Sequence, residues 1–290
     1  MSTELGSNSC GTNVLPRNEP INEFSPGSRS RNRLIQRLNA CESEPIDVPA
    51  VIGGIRHFPG PYFYQYAPHN HREQLAKIQC TTPELLAKAT AAATQAHAAW
   101  ASTSLKQRQI VFAKLAEHIS GPARYDLLVE TMRGQSKTCY QAEIDAVCEL
   151  SDFLRFNNYF SDTIANTQPL SPQGNINRMD YRPLEGFVLA VAPFNFTAIS
   201  VNLATAPALM GNTVLWKPSE YATLASYRAF QLLEQCGLPP GVINFIPGAG
   251  KVVCDHVLPH PELAGLHFTG SAQVFRTLWQ TIGNNLGNYR

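Results

Sequence analysis

Beyond residue 187 the chain settles into short apolar runs separated by helical stretches, a rhythm that few folds accommodate. The runs are Phe187–Ala192, Asn212–Lys217, Val242–Ile246 and Leu263–Phe268. Helical stretches lie between them near 198–210, 222–236 and 250–258, and another follows at 271–286. Strands spaced by helices predict βαβ units, a parallel sheet and right-handed crossovers. The expected class is therefore α/β, with a Rossmann-like half. Ligands of such sheets bind at the carboxyl ends of the strands.

Residues 186–216 carry no charged side chain, a length that reaches across a bilayer. Pro193, Asn195, Asn202, Pro207, Gly211 and Asn212 interrupt the run. It reads as strand–helix–strand inside a protein core, not as a membrane span.

Upstream the period is helical. Thr82-Pro83-Glu84 opens a helix that runs to Trp100, with proline tolerated in the first turn. A second helix spans Leu105 to Ser120 and stops at Gly121-Pro122, a third runs from about Ala123 to Arg133, and a fourth from Gln141 to Tyr159. Residues 1–30 read as a loose arm rich in Ser, Asn, Gly and Pro. Residues 57–71 mix aromatics with Pro and His and read as irregular surface structure. Pro169, Pro172 and Gly174 make a turn, and Asn175–Tyr181 is half of a polar hairpin that needs support from another subunit or a later segment. The expected divisions are 1–80, arm and irregular region; 81–165, helical region; 166–186, hairpin; and 187–290, βα units.

Twenty-three Lys and Arg against 22 Asp and Glu leave a net charge of +1, which argues against a nucleic-acid binder. With 44% hydrophobic and 16% charged residues, a disordered chain is excluded. The 7 cysteines are odd in number, widely spaced and free of any C-x-x-C. They read as free thiols, without a disulfide framework or a metal site. Glu4, Glu19 and Glu23 without an apolar run argue against a signal peptide, and Arg29, Arg31 and Arg33 come late for a transit peptide.

Chemistry is to be sought at the strand ends. Asn195 follows the first strand in Ala192-Pro193-Phe194-Asn195. It is placed to donate amide N–H bonds to developing negative charge, or else to satisfy loop backbone. Lys217 and Glu220 end the second strand, as ribose contacts or as a surface ion pair. Gly270 and Ser271 end the fourth, as a phosphate cradle at a helix N-terminus or as an ordinary N-cap. Spacing alone leaves each pair of readings open. Gly248-Ala249-Gly250-Lys251 lacks the full phosphate-loop pattern.

The order of these blocks is more specific than any one of them. PFNFTAI at 193–199, APALMGNTVLWKPSE at 206–220, LPPGVINFIPG at 238–248 and FTGS at 268–271 resemble the aldehyde dehydrogenase superfamily. NEP at 18–20, GQSKT at 134–138, QAEIDA at 141–146 and DFLRFN at 152–157 extend the resemblance over nearly the whole chain, towards members that oxidise glutamate γ-semialdehyde to glutamate in proline breakdown. The resemblance implies an aldehyde substrate, NAD as cofactor, no metal, a homo-oligomer (a dimer) and the mitochondrial matrix, with the cytosol left open by the N-terminus. It implies Asn195 as oxyanion stabiliser. It implies cofactor contacts from Ala192, Pro193, Phe194, Trp216, Lys217 and Glu220, and on the pyrophosphate side from Gly270, Ser271, Ala272, Gln273 and Val274. Residues 166–186 become an oligomerisation hairpin and 187–290 an incomplete NAD-binding unit.

The family's mechanism also needs a nucleophilic Cys and a Glu that activates water. The block that carries that Glu is expected just beyond Arg290, and none of the 7 cysteines lies in the nucleophile's context. The expectation is a catalytically incomplete front part, inactive alone and missing the C-terminal catalytic domain. The alternative is a short non-catalytic module that binds NAD or a subunit.

Overall fold

The computed structural model describes residues 14–41 and 44–290. Residues 1–13 of the expected arm, with Cys10, lie outside the described residues. The elements run α1 (Arg29–Asn39), β1 (Ile46–Val48), β2 (Ala50–Ile52), β3 (Ile55–His57), β4 (Tyr62–Ala67), β5 (Asn70–Gln79), α2 (Pro83–Ser102), α3 (Leu105–Ser120), α4 (Arg124–Gln135) and α5 (Cys139–Ala142). A π-turn at Glu143–Glu149 joins α5 to α6 (Leu150–Asn166). Then follow β6 (Phe187–Val191), α7 (Thr197–Leu209), β7 (Thr213–Lys217), α8 (Thr223–Gln235), β8 (Ile243–Phe245), α9 (Gly250–Val257), β9 (Leu263–Phe268) and α10 (Ala272–Asn284).

The main sheet has the order β3-β2-β8-β7-β6-β9, and β8, β7, β6 and β9 are parallel. Side chains alternate across it as a pleated strand requires. Phe187, Leu189, Val191 and Leu215 pack with Leu86, Val253 and Leu278, so α2, α9 and α10 cover one face. Val188, Ala190, Val214 and Trp216 pack with Phe112, Leu150, Val201 and Phe230, beneath the other helices. Residues buried on both faces explain why these strands read as continuous apolar runs. The charge-free stretch is β6, α7 and β7, and among the described residues no helix is long and apolar enough to cross a membrane.

Gly186 sets the start of β6. Its φ is +110°, and a Cβ there would lie 2.1 Å from the Glu262 carbonyl oxygen, which accepts the Phe187 N–H at 2.9 Å. Only glycine permits that approach.

Four expectations need correction. Residues 57–71 are not irregular: β4 and β5 pair antiparallel, and β1 joins β5 in parallel, to form a second sheet. The alternation Tyr62, Tyr64, Tyr66 is the period of a strand, with successive rings 5.6 and 6.3 Å apart. The arm is not loose to residue 30, because α1 begins at Arg29 behind the N-cap Ser28. The fourth helix reaches from Cys139 to Asn166 and contains the π-turn. Residues 167–186 double back without a strand ladder. Side chains close the reversal instead: Met179 N donates to Gln168 Oε1 at 2.8 Å and Asn177 Nδ2 to the Leu170 carbonyl at 2.8 Å. Two polar segments alone lack the apolar face that stabilises a ribbon.

The strand β9 ends the sheet order, and beside it α10 exposes Val274, Phe275 and Trp279, the last at 68%. An unpaired edge next to an apolar patch favours association. The purified chain is expected to self-associate, and Trp279→Gln to shift the population towards monomer by light scattering. A monodisperse monomer before substitution would count against this.

Candidate active site

The candidate site lies at the carboxyl ends of β6, β7 and β9. The Ala192 N–H donates to the Lys217 carbonyl at 3.0 Å, which ties the loop after β6 to the end of β7. Beyond this tie Phe194 is 60% exposed and meets Tyr221 edge-to-face, ring centroids 6.3 Å apart. Asn195 is exposed and makes no hydrogen bond among the described residues. Its amide is free to bind something outside the chain.

Lys217 and Trp216 point to opposite faces of β7. The Trp216 indole is fully buried and meets Phe245 edge-to-face at 5.3 Å. Its carbonyl accepts from Ile246 N at 2.9 Å. Trp216 therefore serves the site by seating Lys217. Lys217 is 4% exposed. Its Nζ lies 3.8 Å from Glu220 Oε1, and a side chain on Gly250 would come within 3.6 Å of it. Burial pulls its pKa down, and Glu220 only partly restores it. Glu220 is already engaged, since Oε1 accepts the Gly250 N–H at 2.9 Å at the start of α9. Its second oxygen remains for a ligand.

At the end of β9, a Cβ on Gly270 would lie 2.5 Å from Phe268 Cζ, so any larger residue would displace that ring. Ser271 is the N-cap of α10, its hydroxyl accepting from Val274 N at 3.3 Å. The N–H groups of Ala272 and Gln273 have no partner within the helix, and both residues are exposed. Free N–H groups, the positive end of a helix and a buried lysine suit an anionic, hydroxyl-bearing ligand.

The sequence reading missed the groups beneath Asn195. Thr197 N and Ala198 N donate to the two oxygens of Asp145 at 3.0 and 2.9 Å. Lys137 Nζ lies 2.6 Å from Asp145 Oδ2 and 4.2 Å from the centroid of the Phe196 ring. Thr131 Oγ1 and Gln135 Nε2 each stand 2.8 Å from Thr197 Oγ1. One signal was available: α7 begins after Phe196, which cannot cap a helix.

The described cysteines are free thiols. Burial pushes Cys80, Cys236 and Cys254 up, and Cys148, with Glu143 beside it, up to about 12. An activated nucleophile requires the opposite shift. Among the described residues no group of three or more His, Cys, Asp or Glu is placed to hold a metal ion.

Known proteins are similar to this chain in sequence and fold. The chain is 45% identical over 277 residues to the mitochondrial delta-1-pyrroline-5-carboxylate dehydrogenase of Danio rerio, which covers 96% of the chain and 50% of that protein. The mitochondrial enzyme of that name from Homo sapiens is 43% identical over 272 residues, 94% of the chain and 48% of the relative. A crystal structure of the delta-pyrroline-5-carboxylate dehydrogenase from Mycobacterium tuberculosis bound with NAD superposes with a TM-score of 0.93 at 49% identity, covering 96% of this chain and 52% of that one. The 1-pyrroline-5-carboxylate dehydrogenase from Thermus with bound NAD gives 0.85 at 26% identity, covering 92% and 52%. The chain thus spans about half the length of the relatives it matches. The sequence pattern described as the aldehyde dehydrogenase family matches residues 60–289, over the strands and helices that build the site, and the chain belongs to that family.

Proposed function

We propose that the protein oxidises L-glutamate γ-semialdehyde to L-glutamate with NAD, in proline breakdown, and that this chain supplies the cofactor side and the oxyanion donor. The carrying observation is the strand-end constellation of Asn195, Lys217, Glu220 and Ser271, held in a chain that superposes on an NAD-bound relative over 96% of its length. The residues fit such a cofactor. Lys217 and the free oxygen of Glu220 address ribose hydroxyls, and the N-terminus of α10 with Ser271 addresses the pyrophosphate. Ala192, Pro193 and Phe194 wall the cleft between them. NAD, when bound, accepts hydride from the substrate. Asn195 binds the oxygen that gains negative charge, and its free amide meets that oxygen without breaking any bond within the chain. The segment 167–186, largely exposed and without a strand ladder, supports pairing with a second subunit. The names of the curated relatives include the word mitochondrial, which supports a mitochondrial location, with the matrix as the compartment proposed here.

Purified as 290 residues, the chain is expected to form no NADH with glutamate γ-semialdehyde, because none of its 7 cysteines lies in the family's nucleophile context and the family's catalytic Glu block is not among its residues. The protein extended through the half that the relatives carry beyond the match is expected to turn over. Turnover by the mass-verified 290-residue chain, or none by the extended protein, would overturn the reading.

Cofactor choice follows from Glu220. Its free oxygen accepts from ribose hydroxyls and repels a 2′-phosphate, so NAD is preferred over NADP although Lys217 pulls the other way. A desolvated like-charge contact costs several kcal/mol. Glu220→Gln keeps an acceptor for Gly250 N and removes the charge. It is expected to narrow the NAD/NADP ratio of kcat/KM by about tenfold or more, chiefly by improving NADP. An unchanged ratio would show that Glu220 is not the selector.

A further inference from the structure

We infer that Asp145, held by Lys137, is a positioning residue that aims the Asn195 amide; the inference rests on the proposed role of Asn195. Asn195 has no hydrogen bond of its own among the described residues, so its direction is set by the backbone that follows. That backbone is the first turn of α7, closed by the Ser200 N–H to the Phe196 carbonyl at 3.2 Å but capped by no loop side chain. Phe196 stands at the N-cap and makes no side-chain cap bond. Both leading N–H groups are taken by one carboxylate more than fifty positions away, Asp145, which is 1% exposed. Two bonds to two oxygens fix the plane of the carboxylate against the helix end as well as the distance, and a negative charge there is favoured by the helix dipole.

The support continues outward. Lys137 pairs with Asp145 Oδ2 at 2.6 Å and also lies over the Phe196 ring, so one ammonium holds both the cap and the residue next to Asn195. The hydroxyl of Thr197 is gripped separately by Thr131 and Gln135. Asp145 itself is carried on the π-turn, whose wide register buries Glu143, Asp145, Ala146, Val147 and Cys148 together. Such turns recur at functional sites because they re-aim side chains within a helix. These contacts end on Phe196, Thr197 and Ala198, the three residues that follow the exposed Asn195. A helix that needed only an N-cap would be served by Ser or Asp at position 196 itself.

The test is a double-mutant cycle in the whole protein. Misplacement of a reacting group by about 1 Å costs up to about a hundredfold. Asp145→Asn keeps one acceptor and loses the second bond geometry and the ion pair. It is expected to lower kcat about tenfold to a hundredfold, with KM for NAD unchanged. The decisive reading is that Asp145→Asn combined with Asn195→Ala is no slower than Asn195→Ala alone. A merely structural Asp145 would lower the melting temperature and leave kcat of the folded protein unchanged, and an Asp145 that acts by another route would slow Asn195→Ala further by its full factor; either pattern overturns the inference. Lys137→Met keeps both backbone bonds and reports the same two quantities if Asp145→Asn does not fold. If Asn195→Ala alone leaves kcat unchanged, the oxyanion role fails and the inference falls with it, a result distinct from full additivity.

Discussion

Asn195→Ala is expected to slow kcat of the whole protein about 10²–10³-fold while leaving NAD affinity and folding nearly intact. The three parts of this expectation have separate grounds. The rate falls because the proposed partner of the amide is an oxyanion, which exists fully only near the transition state, and a group that binds only there acts on kcat. NAD affinity holds because the residues proposed to meet the ribose and the pyrophosphate are others, at the ends of β7 and β9. Stability holds because Asn195 is exposed and makes no hydrogen bond among the described residues, so truncation leaves no buried group unpaired. Steady-state kinetics with calorimetry on the same preparation separates the three. A variant with the wild-type kcat would return Asn195 to an ordinary loop residue.

Arg124→Leu is expected to destabilise the protein by about 3–5 kcal/mol, the usual cost of removing one partner from a buried ion pair. Arg124 is 6% exposed and Glu143, on the π-turn, is fully buried. The guanidinium pairs with Glu143 and with Glu19 at 2.8 Å, and donates to the Ser120 and Pro20 carbonyls, each at 3.0 Å. Glu19 and Pro20 belong to the arm, which Asp152 also grips through Glu19 N at 2.7 Å. Burial alone would raise the Glu19 carboxyl, but hydrogen bonds from Arg155 and Arg124 outweigh it and hold the carboxyl below its ordinary range. Loss of Arg124 thus strands Glu143 in the core and loosens the arm over the helix that carries Asp145. Arg124→Leu with Glu143→Leu removes both buried charges and is expected to recover part of the loss in denaturant titrations. A double variant worse than the single one would show that the cluster is held by something other than charge pairing.

The legible parts of the chain are those decided by neighbours in sequence. Strands β6, β7, β8 and β9 are apolar runs between turn residues, and helices α2, α3 and α10 start where a local signal starts them. Thr82 accepts from Leu85 N, Ser271 from Val274 N, and Ser104 forms a capping box with Gln107. Each such bond closes within three residues, so residue type and spacing reveal it. The order of the strand-end blocks likewise carried the resemblance to the family, because each block is a short contiguous stretch of sequence.

The rest is long-range pairing, which no local pattern encodes. The strand β2 joins the parallel sheet against β8, and the Gly53 N–H finds Asn244 Oδ1 at 2.9 Å, 191 positions along the chain. Tyr62–Ala67 alternates well enough for a strand, yet what makes it one is the ladder to β5. Asp145 reads as one polar residue in a helix until folding brings it beneath Thr197 and Ala198. Local bonds are written in short words of sequence. A buried carboxylate or an added strand acquires its partner only when the chain has closed the loop between them, and the packing that repays that entropy belongs to the assembled core.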